Sequence, residues 1–157
     1  NDSIVAEIVK RFQKEDAVVI YVPDHGEECY EEDRGFICRN HSANIDWPLA
    51  HYEFEIPFWI YCSPKYIRNH RDIYRQIRKA KDKRFMTDAL PHLLLYLAGI
   101  ETPTYKEEYN ILSPKYNEMR PRILKNSADY DQLRDEHLKK VEKEKSKKEK
   151  SKKGDKK

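Results

Sequence analysis

Asp24 and His25 are the residues of this chain whose types and position suit chemistry, because they follow the apolar run Ala17 to Val22 and precede Gly26 and Glu27. A short unbroken hydrophobic run reads as a buried parallel strand, and ligands in open α/β sheets gather beyond the carboxyl ends of such strands. A carboxylate oxygen and an imidazole nitrogen are both donors that a divalent cation such as zinc accepts. Neighbouring residues of an extended strand point to opposite sides, so the two face one ion only where the backbone turns, which Gly26 permits. Glu27 is placed to hydrogen-bond a metal-bound histidine, fixing its tautomer and raising its basicity. The plain alternative is a turn after a strand, in which Asp24 and Gly26 serve the turn and His25 is merely exposed. From Glu28 onward, the acidic run with Glu31, Glu32 and Asp33 reads as solvated loop.

The stretch Val18 to Glu28 resembles the second metal-binding segment of the phosphoethanolamine transferases that decorate lipopolysaccharide, members of the sulfatase and alkaline phosphatase superfamily. Three more stretches match in order: Phe36 to His41, the strand Ile56 to Tyr61, and the helix Thr87 to Leu95 ending in Ala98-Gly99-Ile100. The resemblance covers residues 1–133 and leaves 134–157 as a Lys/Glu-rich tail. It implies an α/β fold, the C-terminal portion of a sulfatase-like, alkaline-phosphatase-type three-layer domain with a mostly parallel sheet. It further implies one or two Zn2+ ions held by Asp24 and His25 together with upstream ligands. His41, at the end of a loop longer than that of many relatives, is implied as the catalytic histidine beside the phosphoryl group, with Arg39 and Asn40 as phosphate contacts; His51 is a weaker rival for that role.

Such enzymes carry membrane-spanning helices and then a half-domain with a threonine nucleophile, neither of which lies in these residues, so the chain resembles the C-terminal part of a longer enzyme, inactive alone. The implied donor is phosphatidylethanolamine and the implied acceptor lipopolysaccharide, on a core sugar or lipid A. The implied location is the bacterial inner membrane with the catalytic domain facing the periplasm. A sulfatase or a phosphoglycerol transferase shares the metal segment, but the fuller matches at Asp24 to Glu28 and Thr87 to His92 favour phosphoethanolamine.

Cys29, Cys38 and Cys62 allow at most one internal disulfide. In an oxidising periplasm Cys29 and Cys38 would close the loop after Asp24, while Cys62 ends an apolar strand and reads as buried. A rival reading takes His25, Cys29, Cys38 and His41 as four ligands of a structural zinc, which makes the chain a binding module; the spacing is not a common finger pattern and leaves Asp24 unused.

The elements that must position these residues follow from periodicity. Asp2 or Ser3 caps a helix whose Ile4, Val5, Ile8, Val9 and Phe12 form one stripe, and Ala17 to Val22 follows as a strand. A long loop, Asp24 to Glu55, leads to a second strand, Ile56 to Cys62. Asn69 to Lys81 reads as an amphipathic helix with Ile73, Tyr74 and Ile77 on its buried face. Thr87 or Asp88 caps the next helix, Pro91 sits in its permissive first turn, and Gly99 stops it. Pro121 confines a short strand around Arg120 to Leu124 to an edge. His70, His92 and His137 read as surface or packing residues.

Hydrophobic and charged residues each make up 38% of the 157, a polar balance for one domain. From Lys139 onward eleven lysines face four acids, a net of +7, which leaves −4 for residues 1–138 of a chain whose total is +3. The tail holds no large apolar residue after Val141, so a disordered segment or a fraying helix is expected. Its lysines suit anionic lipid headgroups or lipopolysaccharide phosphates, and equally suit plain solvation. Nucleic acid is disfavoured by an acidic body and a basic run without aromatics. The longest apolar run, Ala89 to Ile100, contains Pro91 and His92 and falls short of the ~18 residues of a membrane span.

Overall fold

A computed structural model describes residues 2–31, 37–38 and 44–154. The chain divides into two compact units, Asn1–Val22 with Pro57–Arg120 and Pro23–Ile56 with Pro121–Lys157. Each is built by a different means.

In the first unit, helix α1 (Asp2–Phe12) leads to strand β1 (Val18–Tyr21), which pairs antiparallel with β4 (Trp59–Cys62) in the register Val18 to Cys62 and Tyr21 to Trp59. The Tyr21 and Trp59 rings stack across this pair with centroids 5.3 Å apart, a cross-strand contact of the kind that fixes register. Ser63, fully buried, closes the pair. Its backbone N–H donates to the Ala17 carbonyl, its hydroxyl donates to the Glu15 carbonyl at 2.6 Å, and its oxygen accepts the Tyr66 N–H at 3.0 Å. One side chain therefore anchors the entry to β1 and caps helix α3 (Pro64–Asn69), where Pro64 occupies the first turn.

Helix α4 (Arg71–Ala80) follows, turning Ile73 and Ile77 onto a core of Ala80, Leu93, Ile111 and Leu112. A 3₁₀ turn, Thr87–Ala89, runs into α5 (Leu90–Ala98). Pro91 lies in the first turn of α5, and Gly99 ends it in the left-handed region at φ 65, with its N–H and that of Ile100 returning to the last-turn carbonyls. The expected cap by Thr87 or Asp88 does not form. Asp88 instead takes a two-pronged contact from Arg120 at 2.6 and 2.7 Å, which holds its carboxyl below the ordinary value.

The second unit contains the two-residue strands β2 (Glu28–Cys29) and β3 (Ile37–Cys38), helix α2 (Trp47–Phe54), the hairpin of β5 (Ile123–Leu124) with β6 (Ala128–Asp129), and the long helix α6 (Tyr130–Gly154). The region expected to be one loop to Glu55 thus carries a helix, started by Asp46, whose carboxylate accepts the Leu49 N–H at 3.0 Å, and by Pro48 in its first turn. The β5–β6 turn places Lys125 and Asn126 at φ 47 and 56, the twist a tight hairpin requires. Ala50, Leu124 and Tyr130 form the core, flanked by Ile45, Trp47, Phe54 and Leu133.

Every strand pair among the described residues is antiparallel, in place of the mostly parallel sheet expected. An apolar run reads alike in either direction; its partner decides, and β1 is half-buried rather than buried on both faces. The apolar stripe of α1 forms as expected, but none of its residues is buried, and Ile4 is 63% exposed. No helix among the described residues is long and apolar enough to cross a membrane.

The join of α2 and α6 is polar and aromatic. Trp47 stacks between His51 and His137, at 5.6 and 5.2 Å. Glu55 takes a hydrogen bond from the Tyr130 hydroxyl and pairs with His51 Nδ1 at 3.1 Å, while Arg122 lies 4.2 Å from the Tyr130 ring centre and clasps Asp131. Burial pushes the Glu55 carboxyl up, but the hydrogen bonds from Tyr130 and His51 and the charges around it outweigh this and leave it below the ordinary value. Burial first, then Glu55, pushes the Tyr130 phenol up from about 10 to about 12.

Two outcomes follow from these contacts. Ser63→Ala removes a helix cap and leaves backbone groups of Glu15 and Tyr66 without a partner, so denaturant unfolding should show a loss of about 1–3 kcal/mol. The folded state holds the Tyr130 proton more tightly than the unfolded chain, so that contribution is complete below pH 10 and is lost as pH rises towards 12. Glu55 acts in the opposite sense, contributing above the ordinary carboxylate range and losing its contribution as pH falls through its lowered value. Thermal midpoints recorded against pH should show the alkaline loss in the wild type and a smaller one in Tyr130→Phe.

Candidate metal centre

Gly26 sets the position of the loop after β1, for a reason other than the turn freedom expected. A Cβ placed on it would lie 2.1 Å from the Tyr52 carbonyl oxygen of α2, so only a glycine brings the backbone this close. Its N–H donates to the Glu53 carbonyl at 2.9 Å. The last carbonyls of a helix have no partner within it, and Gly26 supplies one.

With Gly26 held, its own carbonyl faces back to His25 and lies 2.8 Å from Nδ1. A carbonyl only accepts, so Nδ1 carries the proton, and in the neutral imidazole Nε2 presents its lone pair. That Nε2 lies 3.5 Å from Asp24 Oδ2. Two acceptor atoms facing each other at this distance repel unless a proton or a cation lies between them. Ligand atoms about 2.0–2.2 Å from a tetrahedral zinc ion are separated by roughly 3.3–3.5 Å, so the donor types and their separation fit the metal that the resemblance implies. The Asp24 side chain is 88% exposed and His25 24%, which leaves the pair open on the Asp24 side. Among the described residues no group of three His, Cys, Asp or Glu side chains converges; Asp24 and His25 stand as a pair.

Glu27 is exposed, and the hydrogen bond that fixes the His25 ring is donated by Nδ1 to the Gly26 carbonyl. Glu28, expected in a solvated run, is 1% exposed and lies on β2, with exposed Cys29 next to it. The buried Glu53 of α2 lies in the same unit. Neither burial is visible in the sequence, where Glu28 stands among other acids and the strand that turns it inward is two residues long. Cys29 is free and exposed, so the expected disulfide to Cys38 is not formed, and the ladder sets Cys38 opposite Glu28 rather than Cys29. Cys62 is free and buried, as expected, and burial pushes its thiol up.

Arg39, Asn40 and His41 lie outside the described residues. His51 is engaged by Glu55, between Trp47 and Tyr52. The remaining histidines pack: His70 against Tyr66 and Asp16, His92 against Tyr105 and Tyr109 while accepting the Lys106 N–H, and His137 on Trp47.

Gly26→Ala forces the loop off α2. Overpacking against backbone typically costs about 1–3 kcal/mol, so the variant should unfold at lower denaturant and bind zinc more weakly than the wild type in direct titration.

No protein-family model matches the chain, and the curated proteins contain no match to it. Two crystal structures of the C-terminal periplasmic domain of EcEptC from Escherichia coli, one of them a complex with Zn, are similar to it. Each has a TM-score of 0.65 and 27% sequence identity, over 84% of this chain. The chain spans 37% of the length of those domains. The resemblance carried by the motifs around Asp24 and Thr87 is therefore met in three dimensions, and the chain is a structural relative of the C-terminal periplasmic domain of a phosphoethanolamine transferase.

Proposed function

We propose that this chain is part of the catalytic domain of a membrane-anchored, zinc-dependent phosphoethanolamine transferase working on the periplasmic side of the bacterial inner membrane. The observation that carries the reading is the Asp24–His25 donor pair, with the His25 lone pair 3.5 Å from the carboxylate and its tautomer fixed by the Gly26 carbonyl. The similarity to a periplasmic transferase domain that has been crystallised with zinc supports it.

Asp24 contributes the negative charge of the site and His25 a neutral donor of set direction, so the pair offers a preorganised, half-neutralising cradle for a divalent cation. Bound zinc would polarise a phosphoryl oxygen and ease deprotonation of the attacking hydroxyl. The donor is phosphatidylethanolamine, the nucleophile a threonine outside these residues, and the leaving group diacylglycerol. Phosphoethanolamine, held on that threonine, passes to a core sugar or lipid A of lipopolysaccharide. His41 is assigned to protonate the departing oxygen or hold the phosphoryl group, a role suited to a side chain that titrates near neutrality, with Arg39 and Asn40 on the phosphate.

Zinc affinity and phosphoethanolamine release, measured on the full-length protein beside its variants, test this reading. Asp24→Ala and His25→Ala should each lose at least about tenfold in zinc affinity together with activity, while His41→Ala keeps zinc and loses activity. Unchanged zinc in Asp24→Ala with loss in Cys29→Ser would sink the assignment and replace it with a structural site of His25, Cys29, Cys38 and His41.

A further inference from the structure

The cations of the folded body gather on one short stretch. Residues 65–84 hold nine Lys and Arg against Asp72 and Asp82, a net of +7, while residues 1–138 as a whole carry −4, so the remainder of that body carries −11. Six of the nine lie on α3 and α4. Packing fixes the rotation of α4, because Ile73, Ile77 and Ala80 lie in or against the core. With Ile73 as origin, Ile77 and Ala80 fall at about 40° and −20°, and Arg71, Arg75 and Arg78 at about 160°, 200° and 140°. The three arginines therefore stand opposite the core, and all are exposed, with exposed Lys79 at about 240° beside them. In α3 exposed Arg68 stands likewise opposite buried Tyr66, about 200° away. Asp72 takes Arg75 at 2.5 Å, Asp82 lies 3.6 Å from Lys81, and Asp16 is held by Asn69 and His70. Among the described residues no acid pairs with Arg68, Arg71, Arg78 or Lys79.

We infer that this arginine face of α3 and α4 docks on an anionic phospholipid surface. A guanidinium presents parallel N–H donors that match two oxygens of one phosphate, a fit that lysine lacks. Arg71 and Arg78 are about 10 Å apart along the axis and on the same side of it, so they reach separate headgroups of one plane together. The outward positions of α4, 71, 72, 75, 78 and 79, carry no apolar or aromatic side chain. The helix therefore lies on the headgroups without inserting, and offers no ring on which bases could stack. The remainder of the body, at −11, is repelled by the same surface, which turns this face towards it. The choice of lipid over another polyanion rests on the periplasmic transferase reading, whose donor lies in a membrane; the basic face itself uses no residue of the metal centre.

The test is sedimentation of the full chain with vesicles of phosphatidylcholine alone and of phosphatidylcholine and phosphatidylglycerol in equal parts, at low and high salt. The wild type should sediment with the anionic vesicles alone, and high salt should weaken that binding. Arg71→Gln, Arg75→Gln and Arg78→Gln combined should lower it by at least about tenfold. Lys143→Gln, Lys145→Gln and Lys147→Gln combined remove the same charge from exposed positions of the tail and should stay within about threefold of the wild type. Far-UV circular dichroism, expected to be unchanged in both variants, checks that they are folded. Zinc titration of the same samples separates the two readings, since absence of zinc binding counts against the transferase and absence of vesicle binding against the arginine face. Equal loss in the two variants would overturn the proposal in favour of net charge alone. Failure of the wild type to sediment with anionic vesicles would overturn it outright, and tighter binding of duplex DNA through the same arginines would overturn the lipid assignment.

Discussion

The carbonyl groups that end α2 have no partners inside their own helix, and the way one of them is satisfied governs the site. Glu53 O receives the Gly26 N–H, and Tyr52 O stands where a side chain on Gly26 would be. A short loop with no regular structure is thereby fixed to a helix end by backbone alone. Because Gly26 is fixed, its carbonyl holds the His25 imidazole, and because the imidazole is held, Nε2 faces Asp24. Three consecutive residues thus pass positional order from a helix terminus to an imidazole and a carboxylate that face each other.

Ser63 plays a comparable part in the other unit. A single hydroxyl placed at the end of β4 serves the backbone of Glu15 and Tyr66 at once, so the strand pair and the helix after it share one anchor. Both junctions rest on backbone polar groups, part-buried in the bond to Glu15 and at Gly26 and buried at Tyr66 and Glu53, whose loss leaves a donor or acceptor short of a partner. The α2 and α6 join uses different means: charges and rings around Tyr130, Glu55 and Trp47 that respond to proton concentration where the Gly26 and Ser63 contacts do not.

Charge is segregated along the chain. The acidic body and the basic tail would largely cancel if mixed, yet α6 carries its lysines on a continuous helix that begins in the core at Tyr130. Packing at the first two turns sets the direction in which charges three turns later point. A segment too polar to bury itself therefore takes its orientation from the few residues at its root.

The sequence by itself determined the chemistry of the candidate site and the punctuation of the helices. Asp24 and His25 are donors whatever the fold, and Pro91 and Gly99 bound α5 through backbone rules that act within a few residues. The amphipathic faces of α1 and α4 were likewise legible, since a period of 3.6 is a local property. Strand direction, the burial of Glu28 and the free state of Cys29 were decided only by tertiary structure. So was the reason for Gly26, because the group that excludes a side chain there belongs to a helix more than twenty residues further on. Local pattern encodes what a segment is able to form, whereas pairing partner, burial and close approach depend on atoms distant in sequence, and no period or composition records which of them arrive.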